Sequence, residues 1–440
     1  MAPLHPDDPP PLPPVAAVFG PLAASLSQSP WQEDALHRLL LTRLPGPLRA
    51  QARRIAQGLI GAFPGSVAPD AARLCKVLRD LPGARGLRAH AARTGLRPAP
   101  ELTPPTFLPA PGLAGLALPV LTSPADVADF LAISPDQLIR FADLRGLSAR
   151  SPDPFGPHYL CQLRPKRRGG WRLIEAPRPF LKTLQRRVLS SLLAHVPPHP
   201  AAYGFRRGRN CIMAAARHAG EPLVAGFDIA DFFPRLTVAR VYGLFRALGY
   251  PAAVARDLAG LCTAITPAAT LAALPARDAP IWRTRHLPQG APTSPALANL
   301  LAWRLDCRLA GLARILGATY TRYADDLTFS GPARIGPILR DAVPAILRGE
   351  GFAPNLAKTR LMTAQGAQIV TGVMVNRHVN LPRAEFDRLK AVLHHLARPD
   401  DPRRQDAGFL AALSGRIGWV EQINPARGAK LRARLVALTG

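Results

Sequence analysis

Acidic side chains are scarce in this sequence. Its 440 residues hold 29 Asp and Glu against 56 Lys and Arg, a formal net charge of +27. A globular chain so short of its own anions usually meets a polyanion, most often nucleic acid. The plainer source of the excess is a solvated basic surface in an Arg-rich proteome, which the high Ala, Pro and Arg content also fits. Cysteine is sparse as well. Cys75, Cys161, Cys211, Cys262 and Cys307 are scattered, odd in number and without CxxC or zinc spacing. That excludes a disulfide framework and fits a reduced, cytoplasmic setting. Long apolar runs are missing too. The stretch Val15–Leu26 is short and interrupted by Gly20 and Pro21, and no basic segment precedes it. Neither a signal peptide nor a membrane span is expected, and no membrane partner. There is no internal repeat.

Hydrophobic residues make up 48% of the chain, enough for two or three domains with a sizeable core. Residues 1–14 carry seven prolines and read as a Pro-rich, disordered tail. Residues 15–97 read as a basic, helical N-terminal module. In "SPWQEDALHRLLLTRL", Ser29 is the expected N-cap, Pro30 the first helical position and Gln32 the third residue after the cap. Further helical patterns cover 48–63 and 70–81. Residues 98–124 read as a Pro-rich linker. "SPADVADFLAISPDQLIRFADL" then gives two short capped helices. From Tyr159 strands and helices mix, which sets the class as α+β. "HYLCQLRPKRRGGWRLIEAP" reads as strand, basic Gly-rich turn and strand, and "FLKTLQRRVLSSLLAHV" as a helix. "PLVAGFDIADFF" is a buried strand running into a turn. "SPALANLLAWRLDCRLAGLARIL" is a long helix capped at Ser294-Pro295. Residues 381–440 are helical and rich in Arg.

The sharpest feature is "YADDLTFSG", residues 323–331. Asp325 and Asp326 sit side by side between two runs that alternate like strands. An isolated Asp-Asp pair is ordinarily a solvated turn. Here the apolar flanks imply a hairpin half-buried in a core, with the pair at its apex. A further carboxylate, Asp228, ends the apolar strand "LVAGFD". Like charges brought together repel unless protonated or bound to metal. Mg²⁺ prefers carboxylate oxygens and keeps positions for water and phosphate. A pair of such ions suits phosphoryl transfer. Asp231, three residues past Asp228, points the other way along a strand and reads as structural.

Taken in order, "FDIADFF", "LPQGAPTSPALANL", "YADDLTFSG", "GFAPNLAKTRLM" and "IVTGVMVN" resemble the palm motifs of reverse transcriptases. Upstream, "KRRGGWRLIEAPRPFLKTLQRRVL" and "AAYGFRRGRN…H" resemble the finger motifs of the same family. The retron type is the nearest in flavour, carried by "HYL", the Gly169-Gly170 hairpin and Val370-Thr371-Gly372. The likeness runs from Ser123 to Asn380. One position departs: where retron enzymes show Asn-Ala-x-x-His, this chain has Ala214-Ala215-Ala216-Arg217-His218. Group II intron-like and other defence reverse transcriptases are therefore alternatives, as is a non-catalytic RNA-binding scaffold of the same fold.

The resemblance implies a right-hand polymerase, with fingers and palm over 125–380 and a helical thumb over 381–440. It implies that Asp228, Asp325 and Asp326 hold two Mg²⁺ ions, joined by the backbone carbonyl of Ile229. Phe233 would exclude a ribose 2′-hydroxyl. Gln289 and Gly290 would lie under the incoming dNTP. Arg172 and Lys166 would clamp its triphosphate, and Lys358 would serve the leaving pyrophosphate. Tyr323 would pack near the primer end. The implied partners are an RNA template or noncoding RNA, an RNA–DNA hybrid, dNTPs and an effector or toxin protein in anti-phage defence. His158, His218 and His378 lack ligand spacing and read as structural. Met213, Met362 and Met374 read as core, and so does Trp419.

Overall fold

The computed structural model describes residues 15–65, 67–94, 105–150, 158–166, 170–275, 279–398 and 400–439. The Pro-rich tail and residues 95–104 lie outside the described residues. The chain divides into two compact units. One comprises residues 1–195, 237–279 and 283–285, and the other residues 196–236, 280–282 and 286–440.

In the first unit, helices Val15–Ser27, Glu33–Arg43, Ala52–Ala62, Ala71–Asp80 and Gly86–Thr94 enclose a core of their own. Phe19, Leu22, Leu36, Leu40, Ile55, Leu59 and Leu74 are all buried there. The second helix starts at Glu33 with Gln32 as its cap, three residues beyond the Ser29 cap expected. Trp31 is the cause. Its ring is buried and its Nε1 donates to the Phe63 carbonyl at 3.0 Å, which holds the approach extended. Ser29 instead closes the preceding helix by donating to the Ser25 carbonyl. Asp70 caps its helix as its residue type leads one to expect, accepting from the Arg73 amide.

The described part of the linker is fastened to the rest of this unit. Leu108 and Ala110 donate to the carbonyls of Gly249 and Ala247, both at 2.9 Å. Tyr250 donates through its hydroxyl to the Pro119 carbonyl. Gly249 permits this contact: its φ is +105°, and a Cβ there would stand 2.5 Å from the Pro109 nitrogen. Helices Pro124–Leu131 and Pro135–Ala142 follow, each opened by a capping box, at Ser123 with Asp126 and at Ser134 with Gln137. Strands β1 (Tyr159–Pro165) and β2 (Trp171–Pro177) form the expected antiparallel hairpin, and helix Pro179–Ser191 follows.

The second unit is built on a sheet of β3 (Leu223–Ala230), β4 (Thr319–Tyr323), β5 (Asp326–Gly331), β6 (Ala353–Pro354) and β7 (Arg360–Thr363). All neighbours are antiparallel. β3 lies in the middle, with β5 on one side and β6 and β7 on the other. A central strand must be apolar on both faces, and Leu223, Val224, Ala225, Phe227 and Ile229 are buried. Helix Ile335–Gly349 covers part of it. The long helix expected from Ser294 is two helices, Ser294–Leu301 and Trp303–Leu316, broken at Ala302 and capped at Thr293. β8 (Ile369–Val370) and β9 (Val373–Met374) turn at Thr371-Gly372, both with positive φ. Helices Arg383–Leu396, Ala407–Ile423 and Pro425–Thr439 complete the unit around Leu389, Leu393, Leu413, Ile417 and Val420, with Trp419 half-buried against them.

Met362 is half-buried against that core and Met374 is half-buried, but Met213 is 46% exposed. On the short helix Cys211–Ala216 the inward places are taken by Ala214 and Ala215. No helix among the described residues is long and apolar enough to cross a membrane.

Candidate active site

Of the paired aspartates, Asp325 lies in the tightest connection in the sheet and Asp326 opens β5. Tyr323 pairs with Asp326 across the β4–β5 hairpin, so Ala324 and Asp325 alone make the turn. Ala324 has φ +58°, the left-handed conformation that such turns demand and that alanine adopts reluctantly. β3 runs beside β5 in a register that sets Asp228 opposite Asp326. The Ile229 amide donates to the Asp325 carbonyl at 3.0 Å, tying the turn to β3. Asp228 and Asp326 thus line one cleft of about 200 Å³ together with Lys358 and Arg360.

Electrostatically the cleft sets carboxylates beside the cations Lys358 and Arg360. Asp228 is 5% exposed. Its Oδ1 accepts from Asn355 Nδ2 at 2.8 Å and its Oδ2 from Lys358 Nζ at 2.7 Å. Asp326 opens to solvent at the mouth of the cleft. Even so, the protein packed around it, and then the charges of Asp325 and Asp228, push its pKa up to about 6. Such a group gains from a nearby cation. Carboxylate oxygens are what Mg²⁺ takes, so the residues present fit the ion. Among the described residues no three acidic, His or Cys side chains already converge as a metal site. The Asp228 carboxylate is turned onto Asn355 and Lys358.

A frame of residues for which the sequence alone suggests no individual role surrounds this turn. Residues 201–203 run alongside β4, with Tyr203 donating to the Arg322 carbonyl and Arg322 to that of Ala201. This brings Gly204 onto the turn so closely that a Cβ would stand 2.6 Å from the Ala324 nitrogen. Gly204→Ala must therefore shift backbone, and it is expected to lower stability by about 1–3 kcal/mol, read by denaturant unfolding. An unchanged midpoint overturns this close packing. Arg322 itself is wholly buried. A charge inside the β-run "TYTRY" was the available signal, since an unpaired guanidinium is not tolerated in a core.

The remaining residues fall in several places. Phe233 is half-buried, its ring 5.7 Å from Phe232 and 6.1 Å from Phe205 between centroids. Phe232 is the core residue of that pair. Gln289 is half-buried and Gly290 exposed with φ +140°. Their segment is tied to the chain after β3 by the Leu287 amide on the Leu236 carbonyl. Ile229 is buried within β3. Asp231 lies past β3 with φ +50° and its carbonyl accepts from the Arg235 amide. Lys166 and Arg172 are exposed on the β1–β2 hairpin of the first unit, where the Lys166 amide donates to the Gly170 carbonyl. His218 and His158 are buried and His378 is exposed.

Residues 164–389 match the family described as reverse transcriptase (RNA-dependent DNA polymerase). The chain is 43% identical over 323 residues to the retron Mx65 reverse transcriptase of Myxococcus xanthus, covering 73% of each chain. It is 35% identical to the retron Mx162 reverse transcriptase of the same organism, over 72% of this chain and 67% of that one. To the retron Ec86 reverse transcriptase of Escherichia coli it is 31% identical, over 64% of this chain and 81% of the relative.

Proposed function

The chain belongs to the retron-type reverse transcriptases and is an RNA-directed DNA polymerase with that family's α+β right-hand fold, and from this premise we propose that Asp228, Asp325 and Asp326 hold two Mg²⁺ ions. The observation that carries this is the register of β3 against β5, which sets Asp228 opposite Asp326 beside the Asp325 turn. The backbone carbonyl of Ile229 completes the set. Bound there, the ions supply an activated sugar hydroxyl and charge neutralisation for the leaving pyrophosphate.

The chain's own residues do the rest. Lys358 balances Asp228 in this structure, and its side chain is 48% exposed, with room to turn toward a phosphate. Arg172 offers a planar fork for the triphosphate and Lys166 a point charge beside it. Gln289 and the freely rotating Gly290 form a floor for the nucleotide, since a glycine lets a ligand approach the backbone. Tyr323 supports the primer end. Phe233 stands where a 2′-hydroxyl would enter. Phe233→Val is expected to raise incorporation of ribonucleotides relative to dNTPs by about 10–100-fold in primer extension. An unchanged ratio removes the gate assignment.

The template in this proposal is a cognate noncoding RNA, copied in the cytoplasm into RNA-linked single-stranded DNA for anti-phage defence with an effector protein. The basic excess suits an RNA–DNA hybrid gripped through its backbone, and the C-terminal helices serve as the thumb. The test is extension of a primed RNA template with dNTPs, with and without Mg²⁺, and sequencing of the nucleic acid that copurifies with the chain. Incorporation that persists in chelator overturns the metal assignment, and copurified DNA covalently joined to one structured RNA is the expected result.

A further inference from the structure

We propose that Arg322 is a positioning residue for the metal-binding turn, holding Ala324 and Asp325 in place through a fully committed guanidinium; this rests on the reading of the three aspartates given above. Arg322 and Asp306 are both 0% exposed. Nε and Nη2 of Arg322 donate to the two oxygens of Asp306 at 2.8 and 2.7 Å, a bidentate pair. Its Nη1 reaches the Asn299 side-chain oxygen at 3.0 Å and the Ala324 carbonyl at 3.2 Å. Asn299 passes the connection on, donating to the Gly204 carbonyl at 2.9 Å. Tyr320 donates to Asp306 and fixes the far side of the pair.

Stability alone does not account for this arrangement. A buried ion pair is commonly no better for folding than apolar side chains of the same volume. What no apolar residue supplies is a donor aimed at the Ala324 carbonyl, at the residue whose φ of +58° a non-glycine chain resists. The same guanidinium fixes, through Asn299, the backbone of Gly204, which abuts the turn from the other side. Next in sequence is Phe205, also at φ +58°, with its ring facing that of Phe233. Arg322 therefore sets two walls at once: the turn that carries Asp325 and the loop that leads to the proposed sugar gate. A lysine has neither the fork nor the reach to serve Asp306, Asn299 and Ala324 together.

The test separates positioning from folding. The full chain is compared with Arg322→Met/Asp306→Leu, which removes both charges, and with Arg322→Lys. Tyr320→Phe serves as control, since it loosens Asp306 without touching the bond to Ala324. Three quantities are read: the melting temperature, its rise on adding Mg²⁺ without nucleic acid, and the Mg²⁺ dependence of dNTP incorporation. The double variant is expected to melt within a few degrees of the parent. Its turnover should fall by about 10–100-fold, its half-saturating Mg²⁺ should rise about tenfold, and its Mg²⁺-induced melting shift should shrink. Tyr320→Phe should keep the parent's Mg²⁺ requirement. If the double variant does not fold, Arg322→Lys carries the same expectation. Folded variants whose turnover and Mg²⁺ requirement stay within about twofold of the parent overturn the proposal. A parent chain that incorporates dNTPs without Mg²⁺ overturns the metal reading, and this inference with it.

Discussion

Asp228→Asn and Asp326→Asn are each expected to lower dNTP incorporation on a primed RNA template by at least about 10³-fold, while the primer–template still binds. Asparagine keeps the shape of aspartate, so the β3–β5 register that sets the two residues opposite one another survives. What it removes is the anionic oxygen that a divalent ion needs. Binding of the hybrid spreads over many backbone contacts and does not depend on one carboxylate. The two variants should part company in stability. Asp326 has its folded pKa raised to about 6 from an ordinary 3.8. A carboxyl raised in this way weighs against folding at every pH above its unfolded value, most fully above about 6. Removing its charge should leave the melting temperature of the metal-free protein unchanged or higher. Asp228 instead is partnered by Lys358 and Asn355, so Asp228→Asn should melt lower. Single-turnover extension, fluorescence anisotropy of labelled primer–template and thermal melting without metal read the three effects. Parental extension rates in either variant would sink the assignment of these carboxylates.

Much of this site is legible in the sequence because its signals are local. Alternation on both sides of Asp325-Asp326 specifies a hairpin, but the turn falls one residue earlier than that pattern suggests, on Ala324 and Asp325, because Asp326 pairs with Tyr323 as the first residue of β5. The apolar run from Leu223 to Phe227 specifies an inner strand that carries Asp228, although the strand runs on to Ala230 where the sequence suggests an end at Asp228. The capping boxes at Ser123 and Ser134 are likewise written in four consecutive residues. What the sequence does not disclose depends on contacts between distant residues. Arg322 meets Asp306 and Asn299 from two helices, and Asn299 in turn meets Gly204 from a separate loop. Asp228 finds Lys358 from a segment 130 residues on. The same cause misplaces elements. Ser29 has the chemistry of a cap, but the burial of Trp31 against the Phe63 carbonyl decides where the helix begins. Residues 105–123 have the composition of a linker, yet the open backbone around Gly249 gives them hydrogen-bond partners.

His218 leads to the other large effect, one on stability and on pH. It is fully buried, with Nδ1 2.8 Å from Ser330 Oγ and Nε2 2.7 Å from Thr321 Oγ1, bridging β5 and β4 behind the Asp325 turn. Burial, and then the nearby charge of Arg217, pull its pKa down from 6.5 to about 3. The neutral ring satisfies both hydroxyls, one by donating and one by accepting. A protonated ring has two donors and no carboxylate to meet them. The folded protein therefore refuses a proton that the unfolded chain accepts below about pH 6.5. Between that pH and about 3, the unfolded state binds more protons, so stability must fall as the pH falls. With one pKa unit worth about 1.4 kcal/mol, this residue alone costs about 2–3 kcal/mol on going from pH 7 to near 4.5. His218→Gln keeps a neutral donor and acceptor without a titratable ring. It is expected to be less stable than the parent at pH 7, where its packing is poorer. It should lose about 2–3 kcal/mol less than the parent on acidification, because the carboxylates common to both chains cancel in the comparison. Urea unfolding at the two pH values measures the difference, and parallel losses in both chains would show that the proton goes elsewhere. The hairpin that carries Asp325 and Asp326 is held at its back by this ring. Acid should therefore loosen the strands, and activity lost below pH 6 should follow the unfolding curve of the parent and recover in part in the variant.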